Sequence, residues 1–143
     1  MADPRAAVNH LTGPHPHELH TYVHDATIVY SATVEDGSSQ VGLAVSIESD
    51  NVVTLAGDGE NVLGKLLKVE SDGFCVVQTD GYMTLPGGNS ATLTAGENIV
   101  GALNASSAEG YIRAVATATA AELGHGRGMI VDASTTTAVI VKL

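Results

Sequence analysis

Apolar and polar residues alternate with period two through most of this chain, the spacing that puts every second side chain on one face of a β-strand. Ile28, Tyr30, Ala32 and Val34 share one face, Thr27, Ser31 and Thr33 the other, and Glu35-Asp36-Gly37-Ser38-Ser39 ends the run. Val41, Leu43, Val45 and Ile47 then alternate with Gly42, Ala44, Ser46 and Glu48. Asp50-Asn51 turns the chain into Val52 to Leu55, and Gly57-Asp58-Gly59 turns it again. From Val62 to Gly88, two apolar segments fold back around Ser71-Asp72-Gly73 and close on Pro86-Gly87-Gly88. Asp-Gly between such flanks is a strong hairpin signal, because glycine supplies the positive φ of a tight turn. Shorter strand candidates follow at Ala91 to Thr94, Ile99 to Leu103 and Tyr111 to Val115. A final hairpin joins Met129 to Val131 with Ala138 to Leu143 around Ser134-Thr135-Thr136.

Two segments break the alternation. Thr119-Ala120-Ala121-Glu122 has the spacing of a capping box, and Gly124 is placed to end a helix, which predicts one short helix over about 118–124. Residues 1–24 hold Pro4, Pro14 and Pro16 together with His10, His15, His17, His20 and His24, and show no periodicity. They predict an extended N-terminal arm with little structure of its own. The fold expected is mainly β: a compact β-barrel or sandwich-like domain over 25–143, with one short helix and the arm over 1–24.

Composition narrows the picture. At 143 residues and 44% hydrophobic, the chain suits one domain with a modest core. Its aromatics are only Tyr22, Tyr30, Phe74, Tyr82 and Tyr111, so aliphatic residues must fill the interior, and oligomerisation would support so thin a core. The small side chains of the Ala/Thr stretch 114–121 suit close packing at a subunit contact. Sixteen acidic against six basic residues give a net charge of −10, and Arg5, Lys65, Lys68, Arg113, Arg127 and Lys142 are dispersed. No stripe of cations is present to displace counterions from phosphates, so no nucleic-acid partner is expected. A single cysteine, Cys75, and a start without an apolar signal segment fit synthesis in a reducing cytoplasm. No apolar run approaches the ~20 residues that span a bilayer, so no membrane association is expected.

The candidate chemistry is sparse. His15-Pro16-His17-Glu18-Leu19-His20 invites a metal reading, but the position four after His17 is Thr21, so the His-Glu-x-x-His pattern fails. A cupin-like His-x-His pair needs ligands further down the chain, and beyond residue 24 the only histidine is His125. Cys75 alternates within Phe74-Cys75-Val76-Val77, the setting of an inert core thiol. No Gly-x-Ser-x-Gly occurs, and Gly57-Asp58-Gly59-Glu60 lacks the lysine of a phosphate-binding loop. Asp58, Glu60, Asp72 and Asp80 do not follow EF-hand spacing and read as solvated turns. No catalytic residue, cofactor or metal site is therefore assigned. The alternatives are a small metal-dependent, cupin-like enzyme using the His-rich segment, and a carbohydrate-binding β-sandwich, which the few aromatics disfavour.

The pattern Gly64-x-Leu66-Leu67-Lys68-Val69-Glu70-x-Asp72-Gly73-Phe74-Cys75-x-Val77-Gln78, followed by Gly81-Tyr82-Met83-Thr84-Leu85-Pro86-Gly87-Gly88, resembles capsid decoration (head cement) proteins of tailed bacteriophages, especially those infecting actinobacteria. Ile99-Val100-Gly101-Ala102, Gly110-Tyr111-Ile112-Arg113, Ala121-Glu122-Leu123 and Arg127-Gly128 extend the resemblance over about residues 40–143. It implies a non-enzymatic virion protein that sits as a homotrimer on the capsid exterior, at three-fold and quasi-three-fold positions. Its partner is the major capsid protein, and it braces the shell against packaged DNA. The resemblance also implies that the arm becomes ordered on the capsid. Ordering costs on the order of 1–2 kcal/mol per residue, and the apolar anchors are few: Val8, Leu11, Leu19, Tyr22 and Val23. Three arms on one trimer would offset this through avidity of ~10² to 10⁴. Removal of residues 1–24 is expected to leave a folded trimer that no longer binds capsids.

Overall fold

In the computed structural model, which describes residues 19–89, 92–115 and 120–143, the chain is mainly β. Among the described residues ten strands run in the order β1 (Leu19–His24), β2 (Ala44–Ser49), β3 (Val52–Leu55), β4 (Gly64–Val69), β5 (Phe74–Gln78), β6 (Tyr82–Leu85), β7 (Ile99–Ala102), β8 (Tyr111–Ala114), β9 (Met129–Asp132) and β10 (Val139–Lys142). One short helix, α1 (Ala120–His125), lies between β8 and β9. Among the described residues no helix is long and apolar enough to cross a membrane.

The first five strands close into a barrel in the order β1-β3-β2-β4-β5, with β5 returning to β1. Five strands enclose a narrow interior that side chains fill completely. Here Val45, Val53, Leu55, Leu66, Val69, Cys75 and Val77 point inward, with Ile28 packed against them. The β4–β5 hairpin turns at Asp72-Gly73 as its sequence predicts: Gly73 has φ +90°, and the Phe74 N–H donates to the Asp72 carboxylate at 3.3 Å.

The remaining strands surround a second core. β6, β10 and β9 form one antiparallel sheet and β7 and β8 another. Isolated bridges at Gly87↔Ile112 and Ile99↔Arg127 join these two sheets at both ends, so five strands ring the interior. Met83, Leu85, Ile99, Ile112, Ile130, Val139 and Val141 fill it, together with Ala44, Ala56 and Val62 from the barrel side. In β6 and β10 burial alternates strictly, as the period-two pattern requires. β7 is buried along its whole length because the barrel covers its other face. There the Gly59 N–H donates to the Gly101 carbonyl at 3.0 Å, and the Gly101 N–H donates to the Glu60 carbonyl at 2.8 Å.

Four expectations change. Leu19–His24 is strand, so the β-structure begins six residues before residue 25, where the domain was expected to start. The sequence hides this because Leu19, His20 and Thr21 are all exposed and leave no alternation to detect. By contrast, Ile28 to Val34 is not a strand. The Thr27 N–H donates to the Asp25 carboxylate at 3.0 Å, the Val29 N–H donates to the Gln40 side chain at 2.7 Å, and the Ser31 N–H donates to the Gly37 carbonyl at 2.7 Å. These local partners replace a strand ladder, and of the four apolar residues on the predicted face only Ile28 is buried. Thr92 to Thr94 is likewise irregular, and Ala91 lies outside the described residues. The helix passes through Gly124 and ends at His125, while the predicted capping residue Thr119 lies outside the described residues.

Candidate functional site

The barrel decides what the proposed anchor residues can do. β1 sits between β3 and β5, parallel to one and antiparallel to the other, and closes the ring. Tyr22 stands opposite Cys75 and packs on the barrel core, and Val23 stands opposite Phe74 and Val52. Both are therefore built into the body. Leu19 stands opposite Gln78 at the start of β1 and is half exposed, which makes it the described anchor best placed to touch a partner. Val8 and Leu11 lie outside the described residues.

Of the histidine-rich segment, His20 is exposed, with its ring centroid 6.3 Å from that of Tyr22. His24 is half-buried, its Nδ1 lies 3.0 Å from the Asp25 carbonyl, and its Nε2 is buried without a hydrogen-bond partner among the described residues. His10, His15 and His17 lie outside the described residues. Among the described residues no three His, Cys, Asp or Glu side chains converge to hold a metal. Cys75 is fully buried, and burial pushes its thiol up to about 11, far from the thiolate needed for attack at neutral pH.

Two surfaces carry exposed features that invite contact. On the outer face of the β6–β10–β9 sheet, Tyr82, Ile140, Met129 and Val131 are exposed. Lys142 stands between Tyr82 and Met129 in the cross-strand register. Alternation that turns Met83, Val141 and Ile130 inward necessarily turns these neighbours out.

The second surface is a cavity of about 470 Å³ lined by Ser46, Ile47, Glu60, Asn61, Leu63 and His125. The turn at Gly57-Asp58-Gly59-Glu60 builds one wall. Glu60 Oε2 accepts the Ser46 hydroxyl at 2.7 Å and the Gly57 N–H at 2.9 Å. Asp58 accepts Arg113 Nε–H at 2.9 Å, and the same guanidinium donates through Nη1 and Nη2 to both Glu122 carboxylate oxygens at 2.9 and 2.7 Å. These carboxylates hold the Arg113 guanidinium above its ordinary value and fix α1 against the turn. Asp58 and Glu60 are thus tied into the fold, where the sequence suggested solvated turns. Asp72 and Asp80 keep turn roles, accepting the Phe74 and Gly81 N–H groups. The cavity itself was not legible: Ser46, Glu60 and His125 are far apart in sequence, and the acidic Gly-x-Gly turn was the one signal near it.

Comparison with protein families, with curated proteins and with solved structures finds no match to this chain.

Proposed function

We propose that this chain is a structural virion protein that binds the exterior of a phage capsid as a homotrimer, at three-fold and quasi-three-fold positions, and stabilises the shell against internal DNA pressure. The observation that carries the reading is mechanical. β1 pairs with β5 over Leu19–Val23 and with β3 at Val23 and His24 inside a closed barrel, so a load applied to the residues before Leu19 passes directly into ladder bonds and a packed core. A bracing protein needs such a connection between the segment that grips and the body that resists.

Further support comes from the resemblance over residues 40–143 and from the apolar outer face bearing Tyr82, Met129, Val131 and Ile140, which suits a subunit or shell contact. In this reading residues 1–18 grip the major capsid protein and Leu19 continues that contact, while Tyr22 and Val23 anchor the grip in the body.

The test is electron microscopy of undecorated phage shells mixed with the full chain and with a chain lacking residues 1–18. Density at three-fold positions with the full chain, and none with the truncated chain, is the expected result. Bare shells in both mixtures, or a monomeric mass both at high concentration and on the shell, would overturn the proposal.

A further inference from the structure

The cavity beside the Gly57–Glu60 turn lies apart from β1 and has a one-sided chemistry. Glu60 Oε2 is satisfied by Ser46 and Gly57, which holds the carboxylate in place and leaves Oε1 without a hydrogen-bond partner among the described residues. His125 Nδ1 lies 3.0 Å from the Gly59 carbonyl. A carbonyl only accepts, so Nδ1 donates to it, and in a neutral ring Nε2 is then an acceptor. Glu60 and His125 thus bring two acceptors to one cavity, and none of its described lining residues is Lys or Arg. Ile47, half exposed, and Leu63 supply apolar wall. The volume falls within the roughly 300–1,000 Å³ that suits small organic groups.

We infer that this cavity binds an alkylammonium or guanidinium group on an apolar stem, with Glu60 Oε1 and His125 Nε2 accepting its N–H donors and Ile47 and Leu63 packing on the stem. A cation matches the carboxylate in charge and supplies the donors that both open acceptors lack. An anion would meet the Glu60 charge, and a purely apolar group would leave both acceptors desolvated and unpaired. The apolar wall favours a cation carried on methylenes over a bare metal ion, which would require several more oxygen ligands. The inference goes beyond the capsid reading and does not depend on it.

Amide chemical shifts of the full chain at about 0.15 M salt, where contacts between exposed charges are largely screened, provide the test. The probes are Nα-acetyl-lysine methylamide, Nα-acetyl-arginine methylamide and putrescine, with acetate as the control. Saturable shifts confined to Ser46, Asn61, Leu63, His125 and their neighbours are expected with the cations and not with acetate. Glu60→Gln should weaken binding at least about tenfold, and His125→Ala should weaken it by a smaller factor. Because His125 is exposed at the end of α1, its variant carries the test if Glu60→Gln fails to fold. Tighter binding of an amino-acid amide points to a basic side chain of a protein partner, and tighter binding of putrescine points to a free polyamine. Shifts that do not saturate, that spread over the acidic surface, that acetate reproduces, or that persist unchanged in a folded variant would overturn the inference.

Discussion

Arg127 donates from Nη1 to the carbonyl of Leu63 at 2.7 Å, and this bond ties the ring of strands after residue 80 to the barrel before it. The same guanidinium reaches the Val62 carbonyl at 3.3 Å and, through Nη2, the Thr79 carbonyl at 2.8 Å. Its partners are backbone acceptors on either side of the β4–β5 hairpin, in a region where both cores meet.

Arg127→Ala should accordingly be a severe change away from either core. Hydrogen bonds from charged donors contribute about 1.5–3 kcal/mol, and the abandoned carbonyls lose their partners. A loss on the order of 3 kcal/mol is expected from urea unfolding, with little change in the denaturant slope. Arg127→Lys should recover only part of it, since one ammonium cannot reproduce a planar fork that spans three carbonyls. A loss below about 1 kcal/mol for the alanine variant would show that the two halves hold together without this link.

Truncation separates the two roles of the N-terminal region. A chain lacking residues 1–18 retains β1 and should keep its far-ultraviolet dichroism and a cooperative unfolding transition. A chain lacking residues 1–24 loses the pairings with both β3 and β5, opens the barrel and exposes its core. The sequence suggested that this longer deletion would leave the body folded. The structure predicts instead a loss of cooperative unfolding, which thermal melting of the two chains would check side by side.

Cys75 provides a probe of barrel closure. Burial raises its thiol from 9.0 to about 11. Between those values the unfolded chain has released a proton that the folded chain still holds, so stability falls as pH rises from about 9 to about 11. Below pH 9 this group adds no pH dependence. The difference in stability between the native chain and Cys75→Ala, measured by urea unfolding across that window, should shrink as pH rises. At pH 8 the native thiol should react with a disulfide reagent only as fast as the barrel opens.

Two glycines predict opposite kinds of damage. A Cβ at Gly101 would run into the Gly57 carbonyl oxygen and come within 3.2 Å of the Ala56 Cβ, where β7 packs on the barrel. Gly101→Ala should cost about 1–3 kcal/mol through overpacking. Gly73 has open space around it but φ +90°, so Gly73→Ala should cost about 1–2 kcal/mol through backbone strain alone. Gly73→Asn should recover part of that loss, whereas Gly101→Asn should be worse than Gly101→Ala. Equal behaviour at the two sites in chemical denaturation would contradict these causes.

The sequence by itself determined the local elements whose information is local. Asp72-Gly73 specified its own turn, the polar Ser134-Thr135-Thr136 specified the hairpin of β9 and β10, and an apolar neighbourhood specified a buried Cys75. The tertiary structure decided the rest, because closure is a property of pairs distant in the chain. β1 is a strand only because β3 and β5 leave a place between them, and an exposed Leu19-His20-Thr21 gives no periodic sign of that. Ile28 to Val34 has the right alternation and still forms no ladder, since Asp25, Gly37 and Gln40 satisfy its backbone locally. The same reasoning holds for the cavity: Ser46, Glu60 and His125 meet through the packing of β2, a turn and α1, and the chemistry of that meeting is set by which acceptors folding leaves unpaired.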